Sequence, residues 1–288
     1  MSDAKEYAIG YVTSKDGTKI GYRYLGTGPG VILVHGGLMA SQNFMRLGQL
    51  LSQDFTVYIP DRRGRGLSGP YGPDYGLEVE MEDLQALINQ TATDKIFGLS
   101  AGAVCVLQTA IATPTLKKIV LYEPPVRLSE SDPVAWGIRY EAAMAKGNFG
   151  KAFFAILKGT GDPSLFTALP DFLIAPFLNT AIKADAKKTT GDNVSLKDLI
   201  HTMHYDLILI HESIGMINKS KSINAEILLM GGTKSQQFLK RSLDALEVAL
   251  PVARRVILKG LGHIAADNDD HPEKVASELI TFFQSANI

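Results

Sequence analysis

The sequence has a single cysteine, Cys105, and a single tryptophan, Trp136. One cysteine excludes an intramolecular disulfide framework and fits a reducing compartment. Excess charge is also missing. The formal net charge is −1 and the two signs are interleaved, so the composition offers no electrostatic grip on nucleic acid or on an anionic membrane. No apolar run approaches the roughly 18–20 residues that cross a bilayer. The stretch from Ser2 to Gly17 is polar and lacks the apolar centre of a signal peptide, which makes a cytoplasmic protein the expectation. Internal repeats and low-complexity tracts are absent. What remains is 288 residues, 45% hydrophobic and 20% charged, enough for one large α/β domain with an insertion.

The pattern along the chain divides in two. Residues 7–13 and 18–24 favour strands and flank Lys15-Asp16-Gly17, a turn signal, so they predict a hairpin. Val31-Ile32-Leu33-Val34 and Phe55-Thr56-Val57-Tyr58-Ile59 are short apolar runs, as strands buried on both faces require. A helix near 41–53 separates them. A helix near 77–91, a strand at 95–99, a helix at 101–113 and a strand at 117–122 continue the alternation, which predicts a mainly parallel sheet covered by helices on both faces. The rhythm returns with a strand at 226–230, a helix near 235–249, a strand at 254–258 and a helix at 272–285.

Between 127 and 220 no clear strand signal appears. Pro133, Gly147, Gly159, Gly161, Pro163, Pro170 and Pro176 punctuate a helical pattern, predicting several short helices packed by Trp136, Phe153, Phe154, Phe166, Phe172 and Phe177. The expected division is a core of 1–126 and 221–288 and a helical cap, or lid, of 127–220 over a site. A few of its aromatics should face the core and make an apolar pocket.

Gly98-Leu99-Ser100-Ala101-Gly102 lies between a predicted strand and a predicted helix, the context in which G-x-S-x-G carries chemistry. A serine on so sharp a turn needs small neighbours, and the helix N-terminus beyond it offers free N–H groups to a developing oxyanion. The backbone N–H of Ala101 is one candidate donor. Farther on, His263 sits in a Gly-flanked loop, where a neutral imidazole can take the serine proton and return it to a leaving group.

Four motifs in order resemble the α/β-hydrolase superfamily: His35-Gly36-Gly37, Asp61-Arg62-Arg63-Gly64-Arg65-Gly66-Leu67-Ser68, the Gly98–Gly102 turn, and Gly260-Leu261-Gly262-His263. The resemblance spans 7–126 and 225–285, and the helical segment corresponds to that family's variable cap. It implies the α/β-hydrolase fold, Ser100 as nucleophile and His263 as base. It also implies a second oxyanion N–H from Gly37, with Leu38 as the alternative. His35 is then expected to brace its loop, and the Asp61–Ser68 arginines to be solvated or paired.

The third member departs from the common family pattern. The loop after the strand at 226–230 reads Gly231-Gly232-Thr233-Lys234-Ser235 and has no carboxylate. A minority of the family, including some dehalogenases and zearalenone-type lactonases, carries the acid at the end of the strand that here finishes in Tyr122-Glu123-Pro124-Pro125. Glu123 is therefore the candidate acid, with Asp206 and Asp267 in reserve. The carboxylate must accept the imidazole N–H, fix its tautomer and stabilise the imidazolium.

Serine at the turn excludes the chemistry that needs a carboxylate nucleophile there. The expected reaction is acyl transfer on a small to medium, mainly apolar ester or lactone, with no cofactor. A cofactor-free C–C bond hydrolase or lyase and a non-turnover receptor remain as alternatives, and oligomeric state is left open. His201, His204 and His211 share a helical spacing, but no cysteine or carboxylate cluster completes a metal site, so they read as cap residues; His271 starts the last helix. Cys105, one turn past the elbow, reads as a buried structural thiol.

Overall fold

A computed structural model of the chain describes residues 7–130, 134–161 and 167–286. The strands are β1 (Ala8–Thr13), β2 (Lys19–Leu25), β3 (Gly30–Val34), β4 (Thr56–Pro60), β5 (Lys95–Leu99), β6 (Lys118–Tyr122), β7 (Glu226–Gly232) and β8 (Arg254–Leu258). The helices are α1 (Met45–Leu51), α2 (Leu77–Thr91), α3 (Ala101–Ala112), α4 (Ala135–Met144), α5 (Phe149–Thr160), α6 (Asp171–Lys188), α7 (Leu196–Glu212), α8 (Met216–Lys219), α9 (Gln237–Ala249) and α10 (Pro272–Gln284). The helix expected near 41–53 begins as a 3-10 turn over Ser41–Phe44 before becoming α1.

All eight strands form one sheet in the order β1-β2-β4-β3-β5-β6-β7-β8. The hairpin partners β1 and β2 run antiparallel, β2 is antiparallel to β4, and every later pairing is parallel. The expected α/β fold, a mainly parallel sheet with helices on both faces, is the fold observed. In β3, Val31, Ile32, Leu33 and Val34 are all fully buried. Their alternation sends Ile32 and Val34 into the cluster under α2 and α3, and Val31 and Leu33 into the cluster under α1 and α10. Burying each such side chain is worth about 1.5–3 kcal/mol, which makes this strand a strong anchor for the sheet.

The segment between β6 and β7 carries α4 to α8 and no strand among the described residues, and it has an apolar cluster of its own around Trp136, Tyr140, Ile156, Ile182, Ile200 and Met203. Two expectations about it need correction. The helices are not all short: α6 has 18 residues and α7 has 17. Pro176 sits inside α6 without ending it. The carbonyl that loses its partner there is that of Phe172, an exposed residue, so the missing hydrogen bond is not a buried one.

The aromatics also divide differently. Trp136 and Phe154 are buried, but Phe172 and Phe177 are 70% and 68% exposed. The inward face of α6 is made by Ala175, Leu178 and Ile182, leaving both phenylalanines on the outer side. Pro133, Pro163 and Phe166 lie outside the described residues. No described helix is long and apolar enough to cross a membrane.

Candidate active site

The register of the sheet builds the site. Leu99 of β5 pairs with Tyr122 of β6, and Tyr122 pairs with Met230 of β7. The next residues, Ser100 and Glu123, extend these ladders by one bond each: Ser100 N donates to the Tyr122 carbonyl at 2.9 Å and Glu123 N to the Met230 carbonyl at 3.0 Å. Both residues then turn sharply, with φ of 54° at Ser100 and 46° at Glu123. Leu38, in the loop after β3, has φ of 56°. Left-handed backbone at non-glycine residues costs about 1–3 kcal/mol each, and its occurrence in three loops at one sheet edge marks a site whose surroundings hold it.

The elbow closes because its glycines admit other backbone. A Cβ on Gly98 would lie 2.7 Å from the Ala103 Cα, and one on Gly102 would strike the carbonyls of Val34 and His35. The resulting turn starts α3 at Ala101, whose N–H has no acceptor among the described residues, as expected of a first helical amide.

His263, in the loop after β8, joins the two turns. Its Nε2 lies 2.9 Å from Ser100 Oγ and its Nδ1 lies 2.7 Å from Glu123 Oε2. A neutral imidazole with its proton on Nδ1 donates to Glu123 and accepts from the serine hydroxyl. Glu123 is fully buried, and its other oxygen, Oε1, accepts the N–H of Gly232 at 2.7 Å. The Gly231-Gly232 loop therefore supplies a backbone donor where the common family pattern supplies the acid. A Cβ on Gly231 would lie 2.8 Å from Glu123 Oε1, so the missing side chain makes room for the carboxylate. The Tyr122 hydroxyl donates to the Gly262 carbonyl at 2.7 Å, tying the His263 loop to β6. Neither contact is readable from residue type, although the acid-free glycine pair was the available signal for the first.

The reserve acids are held by other partners. Asp206, on α7, receives Arg62 Nη1 at 2.8 Å on one oxygen and Arg65 Nη2 at 2.7 Å on the other. Arg62 is also held by Glu80, through Nε at 3.1 Å and Nη2 at 3.0 Å. Asp267 accepts from Asn43 Nδ2 at 2.9 Å and from Asp269 N at 3.0 Å. The Asp61–Ser68 arginines are buried and paired rather than solvated: Arg63 joins Asp83 and Asp16.

The loop after β3 rests on this cluster. Arg65 Nη1 donates to the carbonyls of Gly36 at 3.1 Å and Met39 at 3.2 Å. His35 is fully buried. Its Nε2 accepts the Arg62 N–H at 3.1 Å, which puts the ring proton on Nδ1, 3.0 Å from the Gly36 carbonyl. Burial, together with the charges of Arg65 and Arg62, holds the His35 pKa well below its ordinary value and keeps the ring neutral.

Two cavities meet at Ser100 and His263. One, of about 270 Å³, reaches Gly37, Ala101, Trp136 and Met203; the other, of about 470 Å³, reaches Leu38, Phe153, Ile156 and Met203. Gly37 borders both, whereas Leu38 borders only the second. The α7 histidines are exposed and meet other partners: His204 meets Glu141, His211 meets Arg127 and His201 packs on Phe149. His271 pairs with Glu273 at the start of α10. Cys105 is fully buried, and burial pushes its thiol well above the usual range, away from thiolate chemistry.

The comparisons to known proteins bear on the family and the fold. A family model described as the α/β hydrolase family matches residues 31–278, and the chain belongs to that family. A stretch of 126 residues is 33% identical to N-formylmaleamate deformylase of Pseudomonas putida, covering 42% of this chain and 47% of that protein. The chain thus spans about half the length of that curated relative. An α/β hydrolase from Sphaerobacter thermophilus is similar in structure, with a TM-score of 0.73 and 28% identity over 96% of this chain and 100% of the other. The enol-lactonase from Burkholderia xenovorans shares the fold, with a TM-score of 0.69 and 17% identity over 96% of this chain and 100% of the other. Family and relatives alike support a hydrolase.

Proposed function

We propose that the protein is a serine hydrolase that cleaves a carboxylic ester or lactone through an acyl-enzyme, without a cofactor. The observation that carries this reading is the hydrogen-bonded chain from Ser100 through His263 to Glu123, opening onto two cavities. Ser100 Oγ attacks the carbonyl carbon while His263 Nε2 takes its proton, and Glu123 stabilises the imidazolium that forms. The protonated ring then gives its proton to the leaving oxygen. In the second half, His263 takes a proton from water, the hydroxide oxygen adds to the acyl carbon, and Ser100 departs with the proton restored.

Gly37 and Ala101 are our oxyanion donors. Both border the smaller cavity beside Ser100, and neither N–H is bonded to a described residue. Each donor is worth about 10²–10³ in kcat. Residues 127–220 act as a cap over a core of 1–126 and 221–288, and the apolar lining of the larger cavity, with Leu38, Phe153, Ile156 and Leu157, suits a small to medium, mainly apolar group. The relative named as a deformylase supports acyl chemistry over C–C cleavage. The lone, buried Cys105 accords with a reducing, cytoplasmic setting.

The test is a fluorophosphonate probe, with the labelled peptide mapped by mass spectrometry and Ser100→Ala as control, followed by a panel of esters and lactones. Labelling at Ser100 alone with ester or lactone turnover is the expected result. Absence of labelling in folded protein would overturn the reading in favour of a receptor or lyase.

A further inference from the structure

The cavities that meet at Ser100 differ in charge as well as size. Among the described residues, the larger is bordered by the carboxyl groups of Asp267 and Asp270 and by no lysine or arginine. The smaller is bordered by Arg127, Arg139 and Arg241, which come from the loop after β6, from α4 and from α9. Among the described residues its one carboxylate, Asp206, is already bound between Arg62 and Arg65. Arg139 and Arg241 are exposed at the wall of the cavity, and among the described residues neither has an ion pair.

Two helices also begin at this wall. Ala135 and Trp136 open α4, Phe238 and Leu239 lie in the first turn of α9, and all four border the cavity. Neither helix has an acidic residue in its first turn or a side-chain cap. Their positive dipole ends add to the guanidinium charge. A neutral acyl chain needs no such surroundings, whereas a carboxylate is matched by the planar donor fork of arginine.

We propose that the substrate carries a carboxylate, received by Arg139 and Arg241 with Arg127 adding positive charge, while its acyl carbonyl lies at Ser100 and its apolar part fills the larger cavity. This rests on the reading of Ser100 as an acyl-transfer nucleophile and adds the substrate class: an ester or lactone bearing one further carboxylate. The charge scattered along the sequence, where the expected substrate is mainly apolar, becomes a local cationic wall in space.

The experiment compares two anionic esters, monophenyl adipate and 4-butanoyloxybenzoate, with analogues in which a carboxamide replaces the carboxylate. One anion is on the acyl side and the other on the leaving side. In the wild-type protein, kcat/KM for at least one anion should exceed that of its amide by about tenfold, the worth of one charge-assisted contact. That ratio should collapse in Arg139→Gln/Arg241→Gln and shrink with added salt. Both positions are exposed, and a cooperative melting transition establishes that the variant is folded. Ratios at or below one for both pairs, or a ratio unchanged in the double variant, overturn the proposal.

A second measurement needs no turnover: calorimetric binding of adipate and 4-hydroxybenzoate to Ser100→Ala protein, with and without the arginine substitutions. Binding that depends on the arginines, when the wild-type protein hydrolyses no ester, supports the cationic wall and overturns only the hydrolase reading. Labelled Ser100 and turnover of the amide analogues, with no anion preference and no product binding, overturns only the cationic wall.

Discussion

The sheet edge and the helical insertion meet at the same cavities but hold their side chains in different ways. At the sheet edge, Ser100 and Glu123 are extensions of paired strands, and backbone groups complete their surroundings: Gly232 N–H on Glu123, and the Gly262 carbonyl under the Tyr122 hydroxyl. In the insertion, Met203 and Asp206 of α7 and Arg139 of α4 border the smaller cavity, while α4 exposes Ile138 and α6 exposes Phe172 and Phe177 to solvent. The two regions are joined by a buried ion cluster in which Asp206 of α7 meets Arg62 and Arg65 of the core. The proposed triad is thus placed by strand register, while part of the pocket wall sits on helices packed around an apolar cluster of their own.

The comparison has measurable consequences. If the sheet edge alone carries the bond-breaking step, Ser100→Ala should lower kcat for ester hydrolysis by about 10⁶, read by steady-state turnover against a matched blank. Glu123→Gln keeps the shape but presents the wrong group to His263 Nδ1, and should lower kcat by about 10⁴. Near-wild-type turnover in that variant would remove Glu123 from the mechanism.

The joint between the regions is tested by Asp206→Ala. Removing the carboxylate leaves Arg65 buried without its counter-charge, and unfolding by urea should show a loss of about 3–5 kcal/mol. A loss below about 1 kcal/mol would mean that apolar contacts, not the ion cluster, join the insertion to the core.

The smallest effect concerns His35. Its folded pKa is depressed, so the unfolded chain binds a proton that the folded protein refuses. Its stabilisation is complete above the unfolded value near 6.5 and is lost as pH falls below it, by about 1.4 kcal/mol per pH unit. Denaturation midpoints measured from pH 7 to 5 should therefore fall more steeply in the wild type than in His35→Gln. Parallel slopes would show that His35 is not the group being titrated.

Much of the fold is legible in the sequence. The strands at 95–99 and 254–258 and the helix at 77–91 fall where their patterns put them, because each is a short buried run or a long periodic one bounded by turn residues. Glu123 stands out through the family resemblance: the usual acid position holds only glycine and polar residues, and a minority of the family carries the acid after the strand that Glu123 follows. The insertion was harder. Its Pro and Gly residues suggested breaks that α6 does not make, since a proline whose lost hydrogen bond falls at an exposed residue can be carried within a helix. The arginines after β4 gave no sign of their partners: Arg62 and Arg65 reach Asp206, 144 and 141 residues away.

The sequence by itself determined the alternation of strands and helices and the sharp turn at Ser100, because periodicity, glycine placement and helix starts are set by near neighbours. Tertiary structure alone decided that Gly232, 109 residues from Glu123, donates to its carboxylate. It alone decided that Asp206 lies between two core arginines, and that Arg127, Arg139 and Arg241 share one cavity wall. Each of these contacts joins elements far apart in the chain, and a charged or polar residue on one element carries no local record of which other element folding will bring to face it.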